Sequence, residues 1–325
     1  MVIGHSGAPS HLVEFLYLVR MPCFFFISGF LFKEKYLFGV TQFIGRKIKG
    51  LYFPFIKWSL IFLLLHNLFF WLNIYNTQYN LDDFKRQIFK IFTLTGSEQL
   101  LGGFWFLKEL LYASIIAFLS MKLITSLKRK LNKGTLVLLS LLFVILGYVA
   151  SIAPFKIPTI GSKTLLATAY FIAGYAFKKM NINAQNPLLI GIVGYIATIV
   201  TSLFFKANMD VKGLAIFGYF TISIIASVST IYISKIWGER TGIMDYIGKN
   251  TLNILTFHFI SFKVVSFLII LINGLPLGKL SAFPVIPNDS NLMWLAYTLA
   301  GVILPLIIGG IINKTGTLIN TIKQK

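Results

Sequence analysis

Acidic side chains are scarce in this 325-residue chain, with ten Asp and Glu against thirty Lys and Arg. Charged residues of every kind make up only 12% of it, where soluble domains carry about 25%. A soluble globule of this size cannot cover itself with so little charge, so that class is excluded. Cysteine is reduced to Cys23, which excludes an intrachain disulfide and argues against a cysteine metal site. Inside an apolar run Cys23 reads as a small hydrophobe packed in the core. The four histidines are scattered among apolar runs, and no metal site is expected from their spacing. No phosphate loop, zinc-binding HExxH, GxSxG elbow or dinucleotide glycine pattern is present. Soluble appendages, low-complexity tracts and convincing internal repeats are also missing, so residues 1–325 read as one integral-membrane domain.

What fills the chain is apolar: 56% of residues are hydrophobic and the mean hydropathy is +0.79. Runs near the ~20 residues needed to cross a hydrocarbon core of about 30 Å recur from end to end. The expected spans are Leu12–Phe32, Leu51–Ile74, Phe104–Ile124, Thr135–Ala153, Thr164–Phe177, Pro187–Phe205, Val211–Ser234, Gly248–Asn273 and Asn291–Ile312. The fold class is therefore an all-α membrane protein, a bundle of about nine complete transmembrane helices. Met1–Ser6 is too short to span and lacks the basic start of a signal peptide. It reads as the remnant of a first helix whose earlier part is missing, so an N-terminal truncation is expected. Gly174, Gly191, Gly194 and Gly301 suit close helix approach in lipid.

The formal net charge of +20 does not point to nucleic acid, because the basic residues sit in short loops between apolar runs. Segments Lys33–Gly50, Thr125–Gly134, Lys178–Asn186, Lys235–Ile247 and Asn313–Lys325 are the most basic. They alternate with Tyr75–Gly103, Pro154–Lys163, Lys206–Asp210 and Gly274–Ser290, which are more acidic, longer or nearly neutral. That alternation predicts a multi-pass protein whose basic loops and C-terminus are cytoplasmic. Membrane lipids are the expected partners of those loops. Within Tyr75–Gly103 a short amphipathic element is expected around Leu81–Phe92, on the outer surface.

Ionisable groups within apolar spans cost about 2.5–3.5 kcal/mol each at a helix centre, so they mark protein-lined sites. Glu14 and Arg20 fall in the first complete span, Lys108 and Glu109 in the third, His258 and Lys263 in the eighth. Arg20 lies ~12 Å into its span, too deep for easy snorkelling, and a pairing with Glu109 is expected. Glu14 is as well explained by a wet position near the boundary. His66, close to Trp71 and Tyr75, reads as an interfacial belt residue.

Several segments in order resemble one family, the integral-membrane acyltransferases of the acyltransferase-3 type, which O-acetylate sugars and other acceptors. Val2-Ile3-Gly4-His5-Ser6 looks like the end of the family's first helix, which closes on a catalytic histidine. Arg20-Met21-Pro22-Cys23-Phe24-Phe25-Phe26-Ile27-Ser28-Gly29-Phe30-Leu31 is similar to the family's HMPLFFFISGFL segment. Arg46-Lys47-Ile48-Lys49 before Pro54 resembles its basic stretch and proline. Gly103-Phe104-Trp105-Phe106-Leu107 resembles its WFL motif, and Gly248-Lys249-Asn250-Thr251-Leu252 leading to His258 its GKNSL segment. The fucose-4-O-acetylase-like bacterial branch looks closest. Two departures stand out: the family's basic residue upstream of the first-helix histidine is missing, and Arg20 stands where many members have histidine.

The resemblance implies transfer of an acyl group, most simply acetyl, from acyl-CoA to a hydroxyl of a glycan or lipid-linked sugar. It implies a bacterial cytoplasmic (inner) membrane and no permanently bound cofactor, acetyl-CoA serving as donor. His5 is the implied general base, with direct attack and an acyl-histidine intermediate both open. His258 would orient His5 or stabilise the oxyanion. Glu14, Arg20, Trp105, Glu109 and Asn250 would bind the acceptor, while Arg46 and Lys49 would bind acyl-CoA phosphates. The alternative is a polytopic transporter or flippase for a glycan or lipid-linked precursor, which would use the same buried polar groups without chemistry.

Overall fold

A computed structural model describes residues 1–127, 130–154, 159–182, 184–237, 242–287 and 292–323; residue 313 and residues 315–323 are described by backbone alone. Lys325, expected in the cytoplasm, lies outside the described residues, as do basic-loop residues 128–129 and 238–241. Among the described residues every regular element is helical. Seven helices are long and apolar enough to cross a membrane. They are α1 (Ser10–Phe30), α6 (Trp105–Ser126), α7 (Lys133–Ile152), α9 (Pro187–Phe204), α10 (Ala215–Trp237), α12 (Thr251–Ile272) and α13 (Met293–Lys323).

Two expected spans do not meet that standard, for different reasons. Leu51–Ile74 is divided into a π turn (Ile48–Tyr52), α3 (Phe53–Leu64) and α4 (His66–Trp71). Thr164–Phe177 lies within α8 (Ser162–Met180), which carries Lys163, Lys178 and Lys179 as well as buried Thr164 and Thr168. α8 packs against α1, α6, α7 and α10. A helix enclosed by protein need not be soluble in lipid, so its sequence is the least hydropathic of the long helices.

The chain clusters into two compact units. The second unit, Ser10–Pro54 and Trp105–Gly238, is built around α8. Its closest contact is glycine on backbone: a β-carbon at Gly29 would lie 1.7 Å from the Phe171 carbonyl oxygen, and one at Gly174 would lie 1.9 Å from that of Phe26. α9 meets α10 similarly, where a β-carbon at Gly194 would lie 2.0 Å from Ser229 Oγ. α9 buries Gly191, Gly194, Thr198 and Ser202 while exposing Leu189, Ile192, Val193 and Ile196. Small residues face inward and large ones outward, the reverse of a soluble helix. Lipid tails are as apolar as leucine, so close approach rather than hydrophobic burial drives the pairing. α2 (Val40–Lys47) enters this unit through Phe43, stacked on Phe118 with ring centroids 4.5 Å apart.

The first unit comprises Met1–Pro9, Phe55–Phe104 and Glu239–Lys325. Its spine is the pair α12 and α13, joined closely where Gly301 meets Phe262 and Val2. Three 3-10 turns are laid on that pair: Val2–His5 on α13, and Gln99–Phe104 and Leu277–Ser281 on α12. α5 (Leu81–Phe92) forms where the amphipathic element is expected, started by a capping box between Asn80 and Asp83. α11 (Gly242–Lys249) leads into α12.

Candidate functional site

α12 positions His258 at its buried face, where the ring has no solvent exposure. Nδ1 lies 3.0 Å from the carbonyl oxygens of both Ile254 and Leu255. Carbonyl oxygens only accept, so Nδ1 carries the proton and the neutral ring has its lone pair at Nε2. His5 ends the Val2–His5 turn and is half-buried; Gly7, at φ +79°, turns the chain away just beyond it. The two imidazole centroids stand 5.9 Å apart. Phe259 lies beside both, 5.1 Å from His5 and 4.0 Å from His258.

Two neighbouring segments close around this pair. A β-carbon at Gly103 would lie 2.7 Å from Leu255 Cδ1 and 3.5 Å from His258 Cε1, so a side chain there would have to displace Leu255, and glycine brings the Gln99–Phe104 turn close to His258. Phe283 covers Phe259 at 4.7 Å. That covering loop is held by buried Lys263, whose Nζ donates to the carbonyl oxygens of Leu280 (2.9 Å) and Ala282 (2.6 Å). The intramembrane lysine thus holds a loop rather than facing lipid. Asn250, at the α11–α12 junction, donates to the Tyr246 carbonyl and accepts from Asn253 Nδ2.

In the second unit, buried Glu109 accepts from Thr164 Oγ1 at 2.6 Å and lies 3.5 Å from Lys108 Nζ. Both residues line a cavity of 590 Å³ together with Lys108, Lys163, Asp210 and Lys212. Lys163 pairs with Asp210 at 2.7 Å and lies 4.4 Å from the Trp105 ring centroid, so one face of that indole is already taken by an ammonium. Glu14 pairs with Lys206 at 2.9 Å. The Arg20 guanidinium lies over Tyr17, 4.8 Å from its centroid, and the Tyr219 hydroxyl donates to the Tyr17 carbonyl.

The same unit carries the basic stretch. Arg46 donates to the Tyr36 hydroxyl and lies over that ring, while Lys49 is exposed on the π turn. π turns interrupt helices at functional positions more often than elsewhere. Between them Lys47, not singled out from the sequence, is half-buried over Phe43 (5.5 Å) and Phe171 (5.7 Å). Burial lowers its pKa from the usual lysine range to about 8.

His66 departs most from expectation. It is 3% exposed rather than interfacial, and its Nδ1 lies 2.7 Å from Glu98 Oε2. Burial pushes the Glu98 carboxyl above the usual carboxylate range, the bond to His66 partly opposing it. No periodicity links positions so far apart in the chain.

Residues 1–310 match the family model for the acyltransferase domain of the acyltransferase-3 type. No curated protein and no solved structure matches the chain.

Proposed function

The chain belongs to the acyltransferase-3 family, and from that premise we propose that it moves an acetyl group from acetyl-CoA to a hydroxyl of a glycan or lipid-linked sugar in a bacterial inner membrane. The observation that carries the reading is the approach of two imidazoles, 5.9 Å between centroids, one of them with its tautomer held by backbone. A sugar hydroxyl is a poor nucleophile and needs a base during attack. His5, the more accessible ring, takes that proton as the hydroxyl oxygen bonds to the thioester carbonyl carbon. The C–S bond then breaks, and the imidazolium returns the proton to the departing CoA thiolate.

The fixed tautomer favours one of the two roles for His258. While neutral it offers only a lone pair beyond its own helix, so it suits accepting a hydrogen bond from His5 better than donating to an oxyanion. In the second unit, Glu109 with Thr164 supplies acceptor groups suited to sugar hydroxyls, and Glu14, Arg20 and Trp105 are assigned to the same substrate. Arg46 and Lys49, joined by Lys47, supply positive charge for the donor's phosphates.

Membranes containing the full chain, given acetyl-labelled CoA and candidate glycans, are expected to pass label to glycan hydroxyls. Movement of an unmodified glycan across the membrane with no label transfer would place the chain among transporters instead.

A further inference from the structure

The geometry points to His66 and Glu98 as positioning residues, a buried hydrogen-bonded clamp that holds the Gln99–Phe104 turn against His258. The inference rests on the acyl-transfer reading for its catalytic consequence, but not for the clamp itself.

His66 cannot act on a substrate as it stands. Nε2 lies 3.1 Å from the Thr77 carbonyl oxygen and Nδ1 lies 2.7 Å from Glu98 Oε2. Tyr79 covers one ring face with centroids 3.3 Å apart at 10°. Because a carbonyl only accepts, Nε2 carries a proton. The gap between Nδ1 and Glu98 then holds one further proton, whichever of the two atoms bears it. A bond that short, between groups 3% and 4% exposed, is screened little by solvent and fixes both partners.

What it fixes is the turn. Glu98 directly precedes Gln99–Phe104, and its own carbonyl accepts from Leu101 N at 2.8 Å. The Tyr75 hydroxyl accepts from Leu100 N at 3.4 Å and lies near enough to the Glu98 carboxyl to affect its protonation. Tyr75 itself packs on His66, 4.6 Å between centroids. One end of the turn is thereby tied through Glu98 to α4, and the other end presents Gly102 to Phe259 and Gly103 to Leu255 and His258. Leu100 and Leu101 between them have no exposure. A turn this rigidly enclosed transmits a displacement at Glu98 to the wall of His258, since packed interiors yield little.

The clamp is tested on the full chain in detergent or nanodiscs by amide exchange and by steady-state acetyl transfer. Glu98→Ala and His66→Ala are expected to speed exchange at residues 99–104 by about tenfold or more, leaving α13 unchanged. The kcat should fall about tenfold with the KM for acetyl-CoA within about twofold, because only the transition-state geometry is disturbed. Glu98→Gln keeps a donor for neutral Nδ1 and should stay within about threefold of the parent in both measurements. Tyr75→Phe removes only the linking hydroxyl; it should raise exchange about threefold and serves if the alanine variants do not accumulate. Unchanged exchange in Glu98→Ala, or in Tyr75→Phe where the alanine forms are lost, overturns the clamp, as does Glu98→Gln behaving like Glu98→Ala. If the parent transfers no acetyl group to any acceptor, the functional reading fails, while the exchange measurement still decides the clamp.

Discussion

His258 and His66 are both buried histidines of the first unit, and they spend their ring nitrogens differently. His258 gives Nδ1 to the backbone of its own helix and stands ring to ring with His5. His66 gives one nitrogen to Glu98, the other to Thr77 and a face to Tyr79. Depth and residue type are the same, so neither separates a chemical role from a positioning one. The partners do. A histidine oriented by its own helix can still act on a second ring beside it, whereas one bound by the scaffold through both nitrogens and covered on one face has become part of that scaffold.

The largest effect expected from this contrast is at His5. His5→Ala should lower acetyl transfer by about 10²–10⁴-fold, the usual worth of general-base assistance, at unchanged membrane abundance. Label transfer per mole of inserted protein measures it. His66→Ala, which leaves both imidazoles of the pair in place, should cost only about tenfold, and in kcat. Equal losses at the two positions would erase the distinction between base and scaffold.

A smaller effect sharpens the comparison in the second unit, at Lys47. Burial lowers its pKa to about 8, so the ammonium is present below that pH and lost above it. The folded chain then holds this proton less tightly than the unfolded chain, and between about pH 8 and the normal lysine value folding becomes more favourable as pH rises. Donor binding should run the other way, with CoA affinity falling several-fold from about pH 7 to 9 as the ammonium is lost. Opposite slopes for melting temperature and CoA affinity would mark Lys47 as the source. Lys47→Arg keeps its charge throughout and should flatten the binding slope. Parallel slopes, or no change in Lys47→Arg, would remove Lys47 from the donor site.

Hydropathy made much of this architecture legible because it reports what faces lipid. α1, α7, α9 and α12 fall close to their expected spans, and Gly174, Gly191, Gly194 and Gly301 all mark close helix approaches. The amphipathic element is α5, with the expected limits. α8 contains its expected span Thr164–Phe177 but is less apolar than the other long helices, because protein packs closely around it. The pairing of His5 with His258 follows from family resemblance and not from spacing. His66 with Glu98 was illegible because nothing local distinguishes an interfacial histidine from one reached by a returning loop. Lys47 was hidden among basic neighbours that point to solvent.

The smallest expected effect is at Asn250, where the criterion drawn from the two histidines can fail. Asn250 falls in a family-like segment and was assigned to the acceptor on that ground. Its amide nitrogen donates to the Tyr246 carbonyl at 2.9 Å, and its oxygen accepts from Asn253 at 3.2 Å. Both polar atoms are used within the α11–α12 junction, as both nitrogens of His66 are used within its own clamp. If commitment to local partners decides role, Asn250→Ala should leave the KM for the acceptor within about twofold and cost about 1 kcal/mol of stability, the usual net worth of a side-chain hydrogen bond. Thr164→Val offers the contrast, since that hydroxyl serves the Glu109 carboxylate in the cavity. It should raise the acceptor KM more than Asn250→Ala does. A large acceptor KM increase in Asn250→Ala alone would show that the junction opens to bind substrate, and that bonds counted in the resting chain do not predict which side chains do chemistry.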